Sequence, residues 1–205
     1  QVQALTTEQV RGLTVGQLNV LTTEQFASLE TDDVASLNTA QVSAFTTAQL
    51  SSMTTAQVAA MVPALVGGLS TTQLRALSTD QITALVSAQL MALSSSQLTA
   101  IEVPDLVRLS VGQLKSLTSH QVSLLADSQV VALESDQVAG LATSQVSALA
   151  TSQVAAMETR DVVALAAAQV RALTSSQISA LTTQQVFAIE DADIAALLTS
   201  QIVAL

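Results

Sequence analysis

Apolar residues recur at two fixed places in an eight-residue unit, and this octad repeats without insertion or deletion from Leu5 to Ala204. Position one is leucine in 19 of the 25 octads, and position six is apolar in every one. Position five is glutamine in 20 octads, and position eight is alanine, serine or glycine in 22. Partial octads stand at both ends. Residues 1–205 are therefore predicted to form one continuous repeat array.

The spacing excludes one long α-helix, because eight residues advance a helix by about 800° and an apolar stripe would drift by about 80° per octad. Position two is serine, threonine or asparagine in 13 octads, the residue types preferred at a helix N-cap. Glutamine three residues later completes a capping box, and the apolar pair at positions one and six matches a hydrophobic staple. Pro63 and Pro104 would then fall in first turns, where a missing N–H costs little. Serine and threonine are more frequent still at position three, which leaves a cap one residue later as an alternative.

The charged residues are segregated within the octad. All 16 acids lie at positions two to five, and five of the six bases lie at positions seven and eight, with Arg160 the exception. Acids near the start of a helix and bases near its end are favoured by the helix dipole. A β-strand has no comparable dipole and predicts no such arrangement.

The predicted fold is an all-α solenoid of about 25 very short capped helices, one per octad. Such helices are too short to be stable alone, so they must stack, with positions one and six facing inward. A β-solenoid is the alternative, because threonine and valine suit strands and glutamine can form ladders. It is disfavoured because residues five apart face opposite sides of a strand. Turn residues are also too scarce for a corner at every octad. The number of octads per coil is not determined by the pattern.

Composition narrows the function classes. A formal net charge of −10 argues against nucleic-acid binding, because the phosphate backbone is also negative. The absence of cysteine excludes disulfides and thiolate metal sites. The longest apolar run, near residues 58–69, is too short to span a bilayer, so no membrane insertion is expected. No N-terminal signal peptide is visible in the chain.

No catalytic, cofactor-binding or metal-ligating residues are predicted, and the chain is not expected to be an enzyme. The glutamine row is interpreted either as a hydrogen-bonded ladder between octads or as a polar stripe that recognises a glycan or a surface. Aspartate replaces glutamine mainly where position two is glutamate, although Glu134 keeps Gln137, which suggests a local exchange of capping partners. These carboxylate pairs are spread along the array: Glu30/Asp33, Glu102/Asp105, Glu158/Asp161 and Glu190/Asp193. His120, the only histidine, is expected to be exposed and inert.

The strings ALTTEQV (residues 4–10) and ALTSSQISALTTQQV (residues 172–186) resemble low-complexity repeat regions of very large secreted proteins of Gram-negative bacteria. Many of those proteins carry haemolysin-type calcium repeats and are assigned to one-step secretion or adhesion. The resemblance implies an extracellular or cell-surface spacer or adhesive rod. Its glycine- and aspartate-rich calcium motif is missing here, so calcium binding is not implied. The alternative is a binding solenoid that recognises a cell-surface protein or a polysaccharide through one face, and the oligomeric state is left open.

Overall fold

The computed structural model describes residues 2–205, and within them every regular element is helical. A short 3₁₀ helix, Val2–Ala4, precedes 25 α-helices of four to six residues, one in each octad. The predicted all-α repeat is confirmed, and the alternative β-solenoid is wrong. The chain divides into an N-terminal unit that ends at Arg108 and a C-terminal unit, Leu109–Leu205.

The helix numbers equal the octad numbers. The helices of the N-terminal unit are α1 Thr7–Arg11, α2 Val15–Asn19, α3 Thr23–Ala27, α4 Thr31–Ser36, α5 Thr39–Ser43, α6 Thr47–Ser52, α7 Thr55–Ala60, α8 Pro63–Gly67, α9 Thr71–Arg75, α10 Thr79–Thr83, α11 Ser87–Met91, α12 Ser95–Ala100 and α13 Val103–Leu106. Those of the C-terminal unit are α14 Val111–Ser116, α15 Ser119–Ser123, α16 Asp127–Val131, α17 Ser135–Ala139, α18 Thr143–Ala148, α19 Thr151–Ala156, α20 Thr159–Val163, α21 Ala167–Ala172, α22 Ser175–Ala180, α23 Thr183–Ala188, α24 Asp191–Ala196 and α25 Thr199–Ile202.

Each helix begins after a cap at position two, in extended backbone. In α6, the N–H of Gln49 donates to Thr46 Oγ1 over 3.2 Å, and the N–H of Thr46 donates to Gln49 Oε1 over 3.0 Å. All 13 octads with serine, threonine or asparagine at position two have the corresponding side-chain cap: Thr6, Thr14, Thr22, Asn38, Thr46, Thr54, Ser70, Ser78, Ser94, Ser110, Thr118, Thr174 and Thr182. The predicted capping box is confirmed, and the alternative cap at position three is wrong. The two prolines lie at the first position of α8 and the second position of α13, as predicted.

Helices that have an alanine cap keep the glutamine half of the box. Before α16, the N–H of Ala126 still donates to Gln129 Oε1 over 2.9 Å, while the N–H of Gln129 turns to the Ala126 carbonyl at 2.8 Å. The glutamine therefore ties down the helix start whether or not the cap residue carries an oxygen.

Positions one and six form the core of each unit. Val146 is 1 % exposed and Leu149 is 6 % exposed, and the same two positions are buried through most of the array. The three phenylalanines are unequal: Phe26 and Phe45 meet edge to face in the N-terminal core, with ring centroids 4.6 Å apart, whereas Phe187 is exposed. The core is thus mainly aliphatic, and the predicted inward assignment of the two apolar positions is confirmed.

Within each unit, a helix packs against the helix three octads along the chain. Examples are α1 with α4, α3 with α6, α18 with α21 and α19 with α22. Side-chain hydrogen bonds between one coil and the next join residues that are 25 to 31 positions apart in the sequence. Because 24 residues are three octads and 32 are four, one coil holds between three and four octads. The packing contacts between helices are those between helix i and helix i+3.

Candidate functional site

The most repeated polar feature of the structure is the side-chain amide at position five. Gln89, which is fully buried, shows the geometry: its Oε1 accepts the N–H of Val86 over 2.8 Å. Its Nε2 donates to the carbonyls of Met61 at 2.6 Å and Val58 at 2.8 Å, which lie 28 and 31 residues earlier. The same side chain thereby caps the N-terminus of its own helix and the C-terminal end of a helix in the preceding coil. Met61 is the C-cap of α7, and the Val58 carbonyl also accepts the N–H of Met61 over 3.2 Å.

The same bond to the carbonyl 28 residues earlier recurs through both units, over 2.6–3.2 Å. Glutamines that make it, each at most 6 % exposed, include Gln41, Gln49, Gln57, Gln73, Gln81, Gln89 and Gln97 in the N-terminal unit, and Gln137, Gln145, Gln153, Gln169, Gln177, Gln185 and Gln201 in the C-terminal unit. The predicted glutamine ladder is confirmed. For these residues, the alternative of an exposed recognition stripe is wrong, because a buried amide is out of reach of a ligand.

A second row of bonds was not foreseen from the sequence. Some polar side chains at position seven donate to the carbonyl 25 residues later, at position eight of an octad in the next coil. Ser51 Oγ lies 2.7 Å from the Ala76 carbonyl, and Arg75 Nε lies 3.3 Å from the Ala100 carbonyl. Ser43 and Ser179 make the corresponding bonds to Gly68 and Ala204. The sequence shows donor side chains at position seven. Their acceptors could not be predicted from it, because the number of octads per coil was unknown.

The exposed surface is formed mainly by positions two, three and four. His120 is exposed there, as predicted, and its backbone carbonyl accepts the Ser123 hydroxyl over 2.7 Å. Across residues 2–205 the structure has no pocket, and no group of three or more His, Asp or Glu side chains is placed to hold a metal ion. No helix in this part of the chain is long and apolar enough to cross a membrane.

Aspartate at position five changes the bonding between coils. Asp33 keeps the capping role, because its Oδ2 accepts the N–H of Glu30 over 3.3 Å. Asp105 and Asp161 instead accept hydroxyl groups from position three of the octad three places earlier, with Thr79 at 2.6 Å and Ser135 at 2.8 Å. The predicted exchange of partners within the octad thus accounts for Asp33, while at Asp105 and Asp161 the new partner comes from the neighbouring coil.

Arg160 is the one base that does not lie at position seven or eight of its octad, and the neighbouring carboxylates account for its position near the start of a helix. Its Nε lies 3.0 Å from Glu158 Oε2 and 3.7 Å from Asp161 Oδ1. Arg160 therefore offsets two carboxylates at the start of α20. Because the side chains of Arg160 and Glu158 are about half exposed, the surface pair contributes little to stability.

The acids of the C-terminal unit belong to a few octads that the register of the coil brings to one side of the unit. All eight belong to octads 16, 17, 20 and 24: Asp127, Glu134, Asp136, Glu158, Asp161, Glu190, Asp191 and Asp193. Helix α17 packs against α20. The register of the ladder places position five of octad 20 against the end of α16, and position five of octad 24 against the end of α20. In the sequence, acidic octads are spaced three or four octads apart. This spacing indicates neighbouring positions only when the number of octads per coil is known.

A family model described as the ALTTAQ repeat matches the chain in five stretches: residues 1–31, 26–62, 66–95, 98–135 and 154–189. Together these stretches cover most of the sequence. The chain belongs to the ALTTAQ repeat family. Membership indicates a structural or interaction repeat domain. A comparison with curated proteins gave no match.

The structure gives a physical role to most letters of the ALTTAQ motif. In residues 180–185, Ala180 is the residue at position eight, Leu181 is the first half of the apolar pair, and Thr182 is the cap. Thr183 is exposed in the first turn, and Gln185 is the ladder glutamine, with Nε2 2.7 Å from the Met157 carbonyl. The motif therefore records one cap, one apolar anchor and one bond between coils in each octad.

Proposed function

We propose that this ALTTAQ repeat array is an elongated spacer or adhesive segment on the outside of a bacterial cell, within a larger secreted protein. The observation that carries the proposal is the glutamine ladder. Every ladder glutamine bonds its own helix start and a helix end one coil away, so the array can lengthen by whole octads with unchanged contacts. A repeat stack of this kind is stabilised by nearest-neighbour contacts and suits a structural element of variable length.

The proposal includes a non-enzymatic role. The abundant hydroxyl groups at position two are engaged as caps, as with Thr46 and Gln49. A serine or threonine nucleophile needs an adjacent base, and the Ser123 hydroxyl donates to the backbone carbonyl of His120, not to its imidazole. The repeated bonding of the octads supports a mechanical role over a chemical one.

Small-angle X-ray scattering of the purified chain tests the elongated shape. A compact domain of this length has a radius of gyration of about 17 Å. A clearly larger radius, with a distance distribution skewed to long vectors, is expected for a spacer. A radius near the compact value would refute the spacer proposal.

The location is tested on the bacterium that makes the protein. An antibody against the purified array should label intact cells or the culture medium, and protease added outside the cells should remove the signal. A cytosolic enzyme detected in parallel serves as the control for cell lysis. Labelling only after lysis would contradict the extracellular assignment.

A binding role is the second candidate, and the acidic side of the C-terminal unit favours it. Exposed carboxylates on neighbouring coils fit a cationic surface of a protein or of a polysaccharide that carries amino groups. The test compares binding to such ligands of a variant carrying Glu134→Gln, Asp136→Asn and Glu190→Gln with that of a matched variant carrying Glu8→Gln, Glu24→Gln and Asp32→Asn. Loss of binding in the first variant alone supports the acidic side, and equal loss in both assigns the effect to net charge.

A further inference from the structure

Asp161 lies at position five, where most octads have glutamine. Its side chain is fully buried, Oδ1 accepts the Ser135 hydroxyl over 2.8 Å, and in the described part of the chain no group donates to the buried Oδ2. Buried polar oxygens are nearly always hydrogen-bonded, so an orphan oxygen requires an explanation. The bonds that glutamine makes at the same position supply one.

In the ladder octads, position five brings an N–H₂ donor to the carbonyls 28 and 31 residues earlier. For octad 20, these are the carbonyls of Leu133 and Val130. A carboxylate has only acceptors, whereas an amide has both an acceptor and two donors. A carboxylate at position five therefore brings no donor toward these carbonyls unless a proton resides on it.

We propose that Asp161 is held as a neutral carboxylic acid, whose O–H supplies the donor that the missing glutamine would have provided, and that this makes the contact between α20 and the preceding coil strengthen on acidification. The proton comes from solvent and stays on Oδ2, and no covalent bond other than O–H is formed. A carboxylic acid retains an acceptor for Ser135 while gaining a donor toward the carbonyls.

The surrounding charges fit this assignment. The neighbouring carboxylates are Glu158 on the same octad and Glu134 and Asp136 on octad 17, while Asp127 of octad 16 accepts a bond from Ser152. Helix α23, which also packs against α20, carries no charged side chain. Arg160 is the one base, and it is about half exposed and shared with Glu158.

Burial raises the pKa of Asp161 above its ordinary value, and the Glu158 carboxylate adds to this; together they outweigh the lowering effects of the Ser135 hydrogen bond, the Arg160 charge and the Glu158 backbone. A group whose pKa is higher in the folded chain stabilises the fold most below its unfolded value of about 3.9, and this contribution is lost as the pH rises through the folded value. The contact between α20 and the preceding coil should therefore become more stable as the pH falls from neutral to mildly acidic.

The experiment compares thermal melting of the wild type and Asp161→Asn between pH 7.5 and pH 4. Asparagine keeps an acceptor for Ser135 and carries a donor at every pH. We expect the variant to melt a few degrees higher than the wild type at pH 7.5, with the difference closing toward pH 4. Glu134→Gln, which removes an exposed carboxylate from the neighbouring octad, is the control for lost surface charge.

A ¹³C NMR titration of the Asp161 carboxyl in the wild type reads the proton directly and does not depend on a variant folding. A midpoint above the ordinary aspartate value of about 3.9 supports the proposal, and a midpoint at or below it overturns the proposal. A melting difference that does not change with pH would also overturn it. So would a rise in melting temperature of the wild type at pH 7.5 on addition of CaCl₂ that Asp161→Asn lacks, because a cation would then occupy the contact between α20 and the preceding coil.

Discussion

At the scale of the residue, the stack depends on a side chain that donates and accepts at once. Gln89 accepts the N–H of Val86 and donates to two carbonyls of the preceding coil. Glutamate would keep the acceptors but lack the donor. The sequence predicted the accepting half from the capping box. The donating half was one of two interpretations, because its partners are about 30 residues away.

Replacing Gln89 with methionine should lower the free energy of unfolding by about 1–3 kcal/mol, because buried carbonyls would lose their donor. Gln9→Met is the matched control. Gln9 is exposed and bonds only within its own octad, at 2.9 Å to the N–H of Thr6 and 3.3 Å to Thr6 Oγ1. Urea titration of both variants measures the difference. Equal losses would show that the bonds between coils add nothing to the cap.

At the scale of the element, helices of four to six residues form only because their ends and faces are satisfied by neighbours. The sequence located the start of each helix correctly through the spacing of cap, glutamine and apolar pair. It could not show that alanine-capped helices such as α16 and α18 would start equally well. Their glutamines supply the remaining bond to the cap N–H, as Gln145 does for Ala142 over 2.8 Å.

Thr182→Ala should cost about 0.5–2 kcal/mol, because Thr182 Oγ1 accepts the N–H of Gln185 over 3.2 Å. The low end of that range is expected, since the glutamine half of the box survives in alanine-capped octads. Thr183→Ala, one residue along and exposed, should change stability by less than about 0.5 kcal/mol. Denaturant titration of the two variants measures the difference. A larger loss of stability for Thr183→Ala would indicate that Thr183, not Thr182, is the cap.

The contact between α17 and α14 gives a test of packing. A methyl group added at Gly140 would overlap Cγ1 of Val111. Because the backbone of Gly140 is right-handed helical, with φ of −81°, any cost comes from the crowding and not from the backbone. Gly140→Ala should therefore destabilise by about 1–3 kcal/mol.

Adding Val111→Ala to Gly140→Ala should restore much of this loss, because the smaller side chain vacates the space. The coupling is measured as a double-mutant cycle by thermal melting. If the losses of the two single variants simply add, the close approach of α14 and α17 is not the cause.

At the scale of the whole molecule, each unit is ordered by a register between coils. The ladder joins residues 28 and 31 apart and the position-seven row joins residues 25 apart, and both are set by a coil of between three and four octads. Because successive octads are interchangeable in this register, whole-octad changes should be tolerated far better than changes that break the frame.

Deleting residues 149–156, one complete octad, should leave a helical chain that still unfolds cooperatively, with a moderate loss of stability. Deleting only residues 149–152 should be much more damaging, because every later cap, apolar pair and glutamine would shift by half an octad relative to the coil before it. Far-UV circular dichroism and urea titration of the two variants measure the contrast. Similar losses would show that the ladder does not depend on register.

The sequence by itself determined the octad frame, the helical class, the cap and the apolar pair, because these depend on spacings within eight residues. Only the tertiary structure decided the number of octads per coil, and with it the partners of the glutamine amides, the position-seven bonds and the gathering of acids on one side of the C-terminal unit. Near-identical octads stack in one coil size or another with the same local chemistry. The choice depends on how many short helices close a turn around an aliphatic core, and no single octad encodes that number.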